Sequence, residues 1–196
     1  TQYSRLWIDT NRAPDQDGLI KTHIGETPLS FNQSLTKQDE HKRLVDVHEA
    51  YHKAISASIQ EHEHPPLLVS LHSFTPIWND HIRTMDIGVL FDRDEQLAHA
   101  CTELLRKEGF FVEENLPYSG KNGLIYSAHR HGTEQNIPYI ELEFNQSILC
   151  TPKRIERVAQ KLSLVLTKLR QEYTHLCVAQ TECEPSERYV KPRRGS

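Results

Sequence analysis

Apolar residues recur along the chain at two different spacings, and each spacing predicts a different kind of element. Spacings of three and four predict an amphipathic helix from about Lys37 to Gln60, a second one closed by Gly109, and a third from Thr151-Pro152 to about His175. Their apolar positions are Leu44, Val47, Tyr51, Ile55 and Ile59; Leu97, Cys101, Leu104 and Leu105; and Ile155, Val158, Leu162, Leu166, Leu169 and Tyr173.

Short apolar or alternating runs predict strands between these helices. The strands are expected at residues 4–9, 67–71, 85–91, 110–112 and 139–144, and polar stretches at 10–37 and 115–136 predict two long loops. Because strands alternate with helices, we expect an α/β fold with three α/β/α layers and a mostly parallel mixed sheet, of the phosphorylase/hydrolase-like kind. Ligands of such sheets bind beyond the carboxyl ends of the strands.

Composition and charge favour one domain that acts on small molecules. The 196 residues, 37% of them apolar and 26% charged, suffice for one core, and we divide them into a domain at 1–176 and a polar tail at 177–196. A net charge of −4 argues against a nucleic-acid or anionic-membrane partner. A small-molecule substrate is expected, and association of the chain with copies of itself is left open.

Cysteine spacing and hydropathy indicate a cytoplasmic protein. The four cysteines follow no C-x-x-C pattern, so neither a zinc knuckle nor a disulfide framework is expected. The sequence has no long apolar run and no charged-then-apolar leader, so we expect no membrane span and no signal peptide. The chain begins at Thr1 and its single methionine is Met85, so we expect a further segment upstream.

Two histidine motifs compete for the role of a metal site. His48-Glu49-Ala50-Tyr51-His52 has the H-E-x-x-H spacing that places two imidazoles on one helix face in zinc proteases. The apolar run before His72 predicts a strand that ends on a histidine, a position from which many α/β hydrolases present a metal ligand. A structural histidine that bonds a nearby loop fits both places, so the residues alone leave both interpretations open.

Two acidic residues and an arginine are further candidates for chemistry. Glu141 and Glu143 alternate along a predicted strand, so they project to one face. Either they lie on an inner strand, paired or bound and able to act as a base, or the strand is an edge with one wet face. Arg12 has the planar fork that suits a substrate carboxylate and Asn11 can add a hydrogen bond, although such arginines also pair with local acids.

Taken in order, the motifs of the chain resemble those of the N-formylglutamate amidohydrolase family, relatives of the zinc carboxypeptidases and aspartoacylases. The resemblance spans roughly residues 3–149. Its motifs are Tyr3-Ser4-Arg5-Leu6-Trp7-Ile8-Asp9-Thr10-Asn11-Arg12, Tyr51-His52, Leu71-His72-Ser73-Phe74-Thr75-Pro76, Asp86-Ile87-Gly88-Val89-Leu90, Asn115-Leu116-Pro117-Tyr118-Ser119-Gly120, His131-Gly132 and Ile140-Glu141-Leu142-Glu143-Phe144-Asn145.

The resemblance implies a metal-dependent amidohydrolase that removes an N-formyl or other N-acyl group from an amino acid. The namesake reaction converts N-formyl-L-glutamate and water to formate and L-glutamate. In this interpretation His72 binds one zinc ion, and Glu143 is the catalytic base that also passes a proton to the departing amine. The expected substrate-binding residues are Asn11, Arg12, Arg5 and His131.

The chain departs from the family pattern in two places. The family has an earlier segment with a strand-end histidine and an acidic residue that complete the metal site, so we expect further zinc ligands from a segment not present in this sequence. Asn145-Gln146-Ser147 also lacks an arginine that many relatives carry in this stretch. Two alternatives therefore stay open: a catalytically incomplete binding domain of the same fold, and a zinc protease that uses His48 and His52.

Overall fold

The computed structural model describes residues 2–64 and 66–182, with side chains described as far as residue 173. Within these residues strands and helices alternate along much of the chain. The strands are β1 (His23–Ile24), β2 (Thr27–Pro28), β3 (Leu68–Phe74), β4 (Ile77–Trp78), β5 (His81–Ile82), β6 (Ile87–Leu90), β7 (Val112–Glu114) and β8 (Tyr139–Asn145). The α-helices are α1 (Lys37–Arg43), α2 (Ala50–Gln60), α3 (Glu95–Lys107), α4 (Tyr126–Glu134) and α5 (Pro152–Glu182).

The central sheet has four strands in the order β3-β8-β6-β7. The outer pairs, β3 with β8 and β6 with β7, are parallel, and the inner pair, β8 with β6, is antiparallel. The sheet is therefore mixed and mostly parallel, which confirms the predicted fold class. The other four strands form two small antiparallel hairpins, β1-β2 and β4-β5, outside this sheet.

Helices cover both faces of the sheet and give the predicted three layers. On one face α3 and α5 pack against the sheet, and Leu105, Leu142 and Leu169 are completely buried there. On the other face α4 covers a smaller cluster that includes Ala128 and Tyr139. Because alternate residues of β8 point to opposite faces, Leu142 lies on the face covered by α3 and α5, and Tyr139 on the face covered by α4. Burial of a leucine of this kind stabilises the fold by about 2 kcal/mol.

The helix predicted from Lys37 to Gln60 is present, with one irregular segment inside it. Its first turn is capped by Thr36, whose side chain accepts from the backbone N–H of Asp39, while the Asp39 carboxylate accepts from the backbone N–H of Thr36. Between α1 and α2, residues Leu44–Glu49 form a π-helical segment. Such segments are rare and are frequently found at functional sites.

The last two predicted helices are confirmed, but α5 is longer than expected. The Thr151 hydroxyl accepts from the backbone N–H of Arg154 at 3.3 Å, and Pro152 is the first helical residue, as the sequence predicts. The helix continues to Glu182, so the predicted boundary between 176 and 177 falls inside it. Residues 183–196 of the predicted tail lie outside the described residues, and the domain division stays a prediction. None of the described helices has the length and apolar character required to span a bilayer.

Residues 4–9 form turns instead of the predicted strand. The backbone N–H of Trp7 donates to the carbonyl of Ser4 at 2.9 Å, and that of Asp9 to the carbonyl of Leu19 at 2.8 Å. Ile8 is only 1% exposed. Ile8 and Asp9 are thus buried side by side in an irregular segment, whose hydrogen bonds close within the loop rather than to a neighbouring strand.

The long loop predicted at 115–136 contains helix α4, so that prediction was wrong for residues 126–134. The buried residues of this helix are small or polar and give no apolar stripe. Gly132 lies so close to the ring of Tyr139 that a Cβ atom there would overlap it. Hydropathy therefore missed a helix that packs on the sheet through its smallest side chains.

Candidate metal centre

Three titratable side chains meet on one face of the central sheet. In the parallel pairing of β3 with β8, Ser70 lies opposite Glu141 and His72 opposite Glu143. Because alternate residues of a strand share a face, these four side chains point to the same side. One donor atom each of His72, Glu141 and Glu143 lies within 4.8 Å of the other two. We call these three residues the His-Glu-Glu cluster.

Two expectations about these residues need correction. Strand β3 does not end at His72 but continues to Phe74, so the imidazole projects from the face of the sheet rather than from its end. Strand β8 lies between β3 and β6, and all seven of its residues are buried, so the edge-strand alternative for Glu141 and Glu143 was wrong. The glutamate pair therefore occupies an inner strand, where a charged carboxylate needs a partner.

Glu141 is 1% exposed and has several polar neighbours. Its Oε2 accepts from the Ser70 hydroxyl at 3.0 Å and from the Asn11 amide at 3.3 Å, and lies 3.3 Å from Nε2 of His72. Burial raises the pKa of Glu141 to about 8, with a contribution from the charge of Glu143 and opposed by the Ser70 and Asn11 hydrogen bonds.

Glu143 is 7% exposed, and its Oε2 is buried without a hydrogen-bond partner. Burial raises the pKa of Glu143 to about 7, although the positive charges of Arg5 and Arg83 oppose the shift. A buried carboxylate oxygen without a partner is costly and calls for an explanation. A cation beside this oxygen, or a polar group bound to such a cation, would supply one.

His72 completes a donor set that suits zinc. Its side chain is 29% exposed, and burial lowers its pKa, with a further lowering by Arg5 and an opposing effect of Asp9. The neutral imidazole is the form that binds metals. An imidazole nitrogen together with carboxylate oxygens is a usual ligand combination for Zn²⁺. The residues of the cluster therefore fit such an ion.

Asn11 lies beside the cluster. Besides its contact with Glu141, its Nδ2 is 3.5 Å from Nε2 of His72. Its Oδ1 accepts from the backbone N–H of Ser127 at 2.8 Å, and its own backbone N–H donates to Asp9 at 3.1 Å. The amide is thus held in one orientation, although Asn11 lies in a loop. Its predicted role in substrate binding stays a prediction.

Arg5 and Arg12 share the buried carboxylate of Asp9 but differ in what else they contact. Nη2 of Arg5 donates to Asp9 at 2.7 Å, and Nε of Arg12 lies 3.3 Å from the same oxygen. Nη1 of Arg12 also donates to the carbonyl of Asp17 at 3.0 Å, so this guanidinium is engaged locally. The Arg5 side chain is 63% exposed, and its charge lowers the pKa of every residue in the His-Glu-Glu cluster. Of the two, Arg5 is the cation more open to a ligand.

His131, the remaining predicted substrate-binding residue, lies behind the cluster. It belongs to α4 and is completely buried. Its Nε2 is 2.8 Å from Nδ1 of His52, and its Nδ1 is 3.3 Å from the hydroxyl of Ser56. Both ring nitrogens therefore face other side chains of the protein.

The H-E-x-x-H motif also faces the protein interior. His48 and His52 are 0% and 2% exposed, and their Nε2 atoms lie 2.8 Å from the carbonyl of Arg12 and 3.1 Å from that of Thr10. In a zinc protease two such imidazoles bind one metal ion. Here each of them bonds the backbone of a loop, so the structure does not support the zinc-protease alternative.

Arg83 was not singled out from the sequence, although it acts electrostatically on Glu143. Its charge lowers the pKa of Glu143, and its guanidinium lies 5.6 Å from the ring centroid of Trp78 and 5.3 Å from that of Tyr118. It follows the β4-β5 hairpin in a polar stretch and carries no sequence signal. Ser70 was also missed, although it precedes His72 by two residues and so had to share its face.

Gly88 allows a loop to pass close to the cluster. On β6 it lies directly opposite Glu143. A Cβ atom at this position would overlap the carbonyl oxygen of Leu116, so only glycine accommodates this approach. The loop that contains the Asn115–Gly120 motif therefore lies against the sheet face beside Glu143.

The raised pKa values predict how the stability of the metal-free protein changes with pH. The ordinary value of 4.5 rises to about 8 for Glu141 and about 7 for Glu143. Between pH 4.5 and 8 these two carboxyl groups bind more protons in the folded state than in the unfolded state, so their contribution to the free energy of unfolding decreases as pH rises. The lowered pKa values of His52, His72 and His131 act in the opposite direction, so the carboxyl contribution is measured against a variant that lacks it. Relative to a Glu141→Gln/Glu143→Gln variant, we expect the Tm of the chelator-treated wild type to fall by at least about 5 °C from pH 5 to pH 8.

Thermal unfolding followed by circular dichroism measures this effect. The double variant Glu141→Gln/Glu143→Gln should lack this carboxyl contribution, because its amides do not titrate, while the contribution of the histidines remains. Equal slopes for the wild type and the double variant would assign the effect to other groups.

Comparison with known proteins places the chain in a family. A family model for N-formylglutamate amidohydrolase matches residues 1–150. The crystal structure of a gene product from Agrobacterium tumefaciens is 22% identical, with a TM-score of 0.78 over 88% of this chain and 69% of that one. The N-formylglutamate amidohydrolase from Ralstonia eutropha JMP134 is 20% identical, with a TM-score of 0.60 over 86% of this chain and 73% of that one. No curated protein matches the chain.

At these identities the two crystal structures support the fold alone, while the family model covers well over half of the sequence. The chain therefore belongs to the N-formylglutamate amidohydrolase family.

Proposed function

We propose that the protein is a metal-dependent amidohydrolase that removes an N-formyl or related N-acyl group from an amino acid, with N-formyl-L-glutamate as its substrate. Water and this substrate would give formate and L-glutamate. Membership of the family supports the reaction class. The observation that carries the proposal is the His-Glu-Glu cluster, a nitrogen and two carboxylate donors gathered on a buried sheet face.

His72 and Glu141 are our candidates for holding a zinc ion. A bound zinc ion polarises the amide carbonyl and makes water more acidic. Glu141 suits a ligand role because Ser70 and Asn11 already orient its carboxylate. Catalytic zinc sites use three protein ligands, of which His72 and Glu141 would supply two.

Glu143 is our candidate for the general base. Its Oε2 is free of other hydrogen bonds, and its pKa of about 7 lies near neutral pH. A group with such a pKa can accept a proton from the attacking water and then donate it to the nitrogen of the departing amino acid. In this step the C–N bond of the amide breaks, the hydroxyl group of water joins the formyl carbon, and the water's proton leaves on the amine nitrogen.

Substrate binding is assigned to the loop that packs beside the cluster. Arg5 is an exposed cation whose charge reaches all three cluster residues, which suits an anionic amino-acid substrate. Asn11 offers its amide beside His72. Arg12 remains a candidate, with part of its guanidinium held by Asp9 and Asp17. His131 is buried and contacts His52, which in turn bonds the loop carbonyl of Thr10.

Formate release by the zinc-loaded full-length chain tests the proposal. We expect formate from N-formyl-L-glutamate, loss of the activity after treatment with a chelator, and recovery when zinc is restored. N-formyl-L-glutamate 1-methyl ester, which lacks the α-carboxylate, should react more slowly. A protein that binds zinc and the substrate but releases no formate would instead support the binding-domain alternative.

A further inference from the structure

The histidines of the H-E-x-x-H motif have no part in the proposed reaction, yet they form a buried row. His48, His52 and His131 are 0%, 2% and 0% exposed. Ring centroids are 4.5 Å apart between His48 and His52 and 5.0 Å apart between His52 and His131. Buried imidazoles are costly unless their nitrogens are hydrogen-bonded, so the partners of this row identify what it holds in place.

Two of the partners are backbone carbonyls, which only accept hydrogen bonds. Nε2 of His48 therefore carries the hydrogen and donates to the carbonyl of Arg12 at 2.8 Å. Nε2 of His52 likewise donates to the carbonyl of Thr10 at 3.1 Å. Both imidazoles thus bond the backbone of the same loop, one residue on either side of Asn11.

The remaining hydrogen bonds are consistent with neutral rings. Nδ1 of His52 has no hydrogen when Nε2 carries it, so it accepts from Nε2 of His131 at 2.8 Å. Nδ1 of His131 then accepts from the Ser56 hydroxyl at 3.3 Å. Burial lowers the pKa of His52 to about 3, with further lowering by His48, Arg130 and His131, so this ring stays neutral at physiological pH.

The loop between these carbonyls carries the amide that contacts the cluster. The Ser127 hydroxyl adds a hydrogen bond to the carbonyl of Thr10 at 2.9 Å, and its backbone N–H donates to Oδ1 of Asn11 at 2.8 Å. Nδ2 of Asn11 then faces Glu141 at 3.3 Å and His72 at 3.5 Å. The buried row and the cluster are therefore connected through a single loop side chain.

We propose that His48 and His52 are positioning residues that act through Asn11, fixing the backbone on both sides of it so that its amide is aimed at Glu141 and His72. This inference rests on the proposed function of the cluster for its effect on activity. It gives the H-E-x-x-H motif a role in the site without metal binding: the spacing of four places two donors along one helix, where they match two carbonyls of an irregular loop.

A double-mutant cycle on the full-length, zinc-loaded chain tests the proposal. We expect His48→Phe and Asn11→Ala each to lower kcat/KM roughly 10- to 100-fold, and the double variant to be no worse than Asn11→Ala alone. His48→Gln should recover much of the loss, because its side-chain amide can donate in place of Nε2. His41→Phe, at an exposed position of α1, is the matched control. Equal fold losses from His48→Phe in both backgrounds would overturn the proposal.

A second measurement does not depend on activity. Nitrogen NMR of the wild type at pH 7 should show His48 and His52 as neutral rings that are protonated at Nε2. The signal of the Asn11 side-chain amide should shift in His48→Phe. If that variant does not fold, the same shift is expected in His48→Gln. A ring protonated at Nδ1, or an unmoved Asn11 signal, would overturn the proposal. If the protein releases no formate but these signals agree, the proposed function fails while the positioning role stands.

Discussion

Replacement of Glu143 by glutamine is expected to lower the rate of formate release roughly 10²- to 10⁴-fold, the usual contribution of a general base. Glutamine has nearly the same shape, so the packing of β8 should persist, but its amide cannot accept and return a proton. Because Oε2 of Glu143 has no hydrogen-bond partner, the substitution breaks no existing hydrogen bond at that atom. Formate release with saturating N-formyl-L-glutamate measures the effect.

Glu114→Gln is the matched control for this variant. Glu114 also lies on a strand of the central sheet, but its carboxylate pairs with the exposed His99 at 3.3 Å. The activity of Glu114→Gln should equal that of the wild type. Zinc affinity of Glu143→Gln should change less than about 10-fold, which separates a base from a ligand. A loss of zinc binding in this variant would make Glu143 the third ligand and refute its assignment as the base.

Removal of a proposed ligand is expected to have its largest effect on metal binding. His72→Ala and Glu141→Gln should each weaken zinc binding by at least about 100-fold, since each deletes one donor from a site with few protein ligands. Formate release should fall in parallel at low zinc concentration and recover only in part when zinc is added. Competition with a chromophoric chelator measures the dissociation constant.

His99→Ala provides the control for these two variants, because it removes an imidazole that is 68% exposed and pairs only with Glu114 in the described hydrogen bonds and ion pairs. Its zinc affinity should match that of the wild type. If His72→Ala and Glu141→Gln both bind zinc as tightly as this control, the His-Glu-Glu cluster is not the metal site.

Most of the regular structure could be predicted because it repeats. The helix from Lys37 has apolar residues at helical spacing, the strand that carries His72 begins as an apolar run, and the strand that carries the two glutamates alternates in hydropathy. The two wrong assignments, the loop predicted where α4 lies and the strand predicted at residues 4–9, concern segments without such a regular pattern. Helix α4 buries small and polar residues such as Ser127, and the segment around Ile8 is buried without a strand partner. Hydropathy reports burial, so it misassigns elements whose burial is not periodic.

The candidate site could be predicted only residue by residue. Period-two spacing placed Glu141 and Glu143 on one face, and the family motifs singled out Asn11 and His72. The sequence contained no information on which helix of the chain would hold Asn11, because that hydrogen bond connects residues far apart in sequence. For the same reason nothing in the sequence around Arg83 indicated that its charge acts on Glu143.

By itself the sequence determined the α/β class, the spacing of the glutamate pair and, through ordered motifs, the family to which the chain belongs. Only the tertiary structure decided the register of β3 against β8, which brings His72 opposite Glu143. It also decided that the H-E-x-x-H histidines bond the loop carbonyls of Thr10 and Arg12. The physical reason is the same in both cases: spacing along one element fixes which side chains share a face, whereas the partner of that face is set by long-range packing.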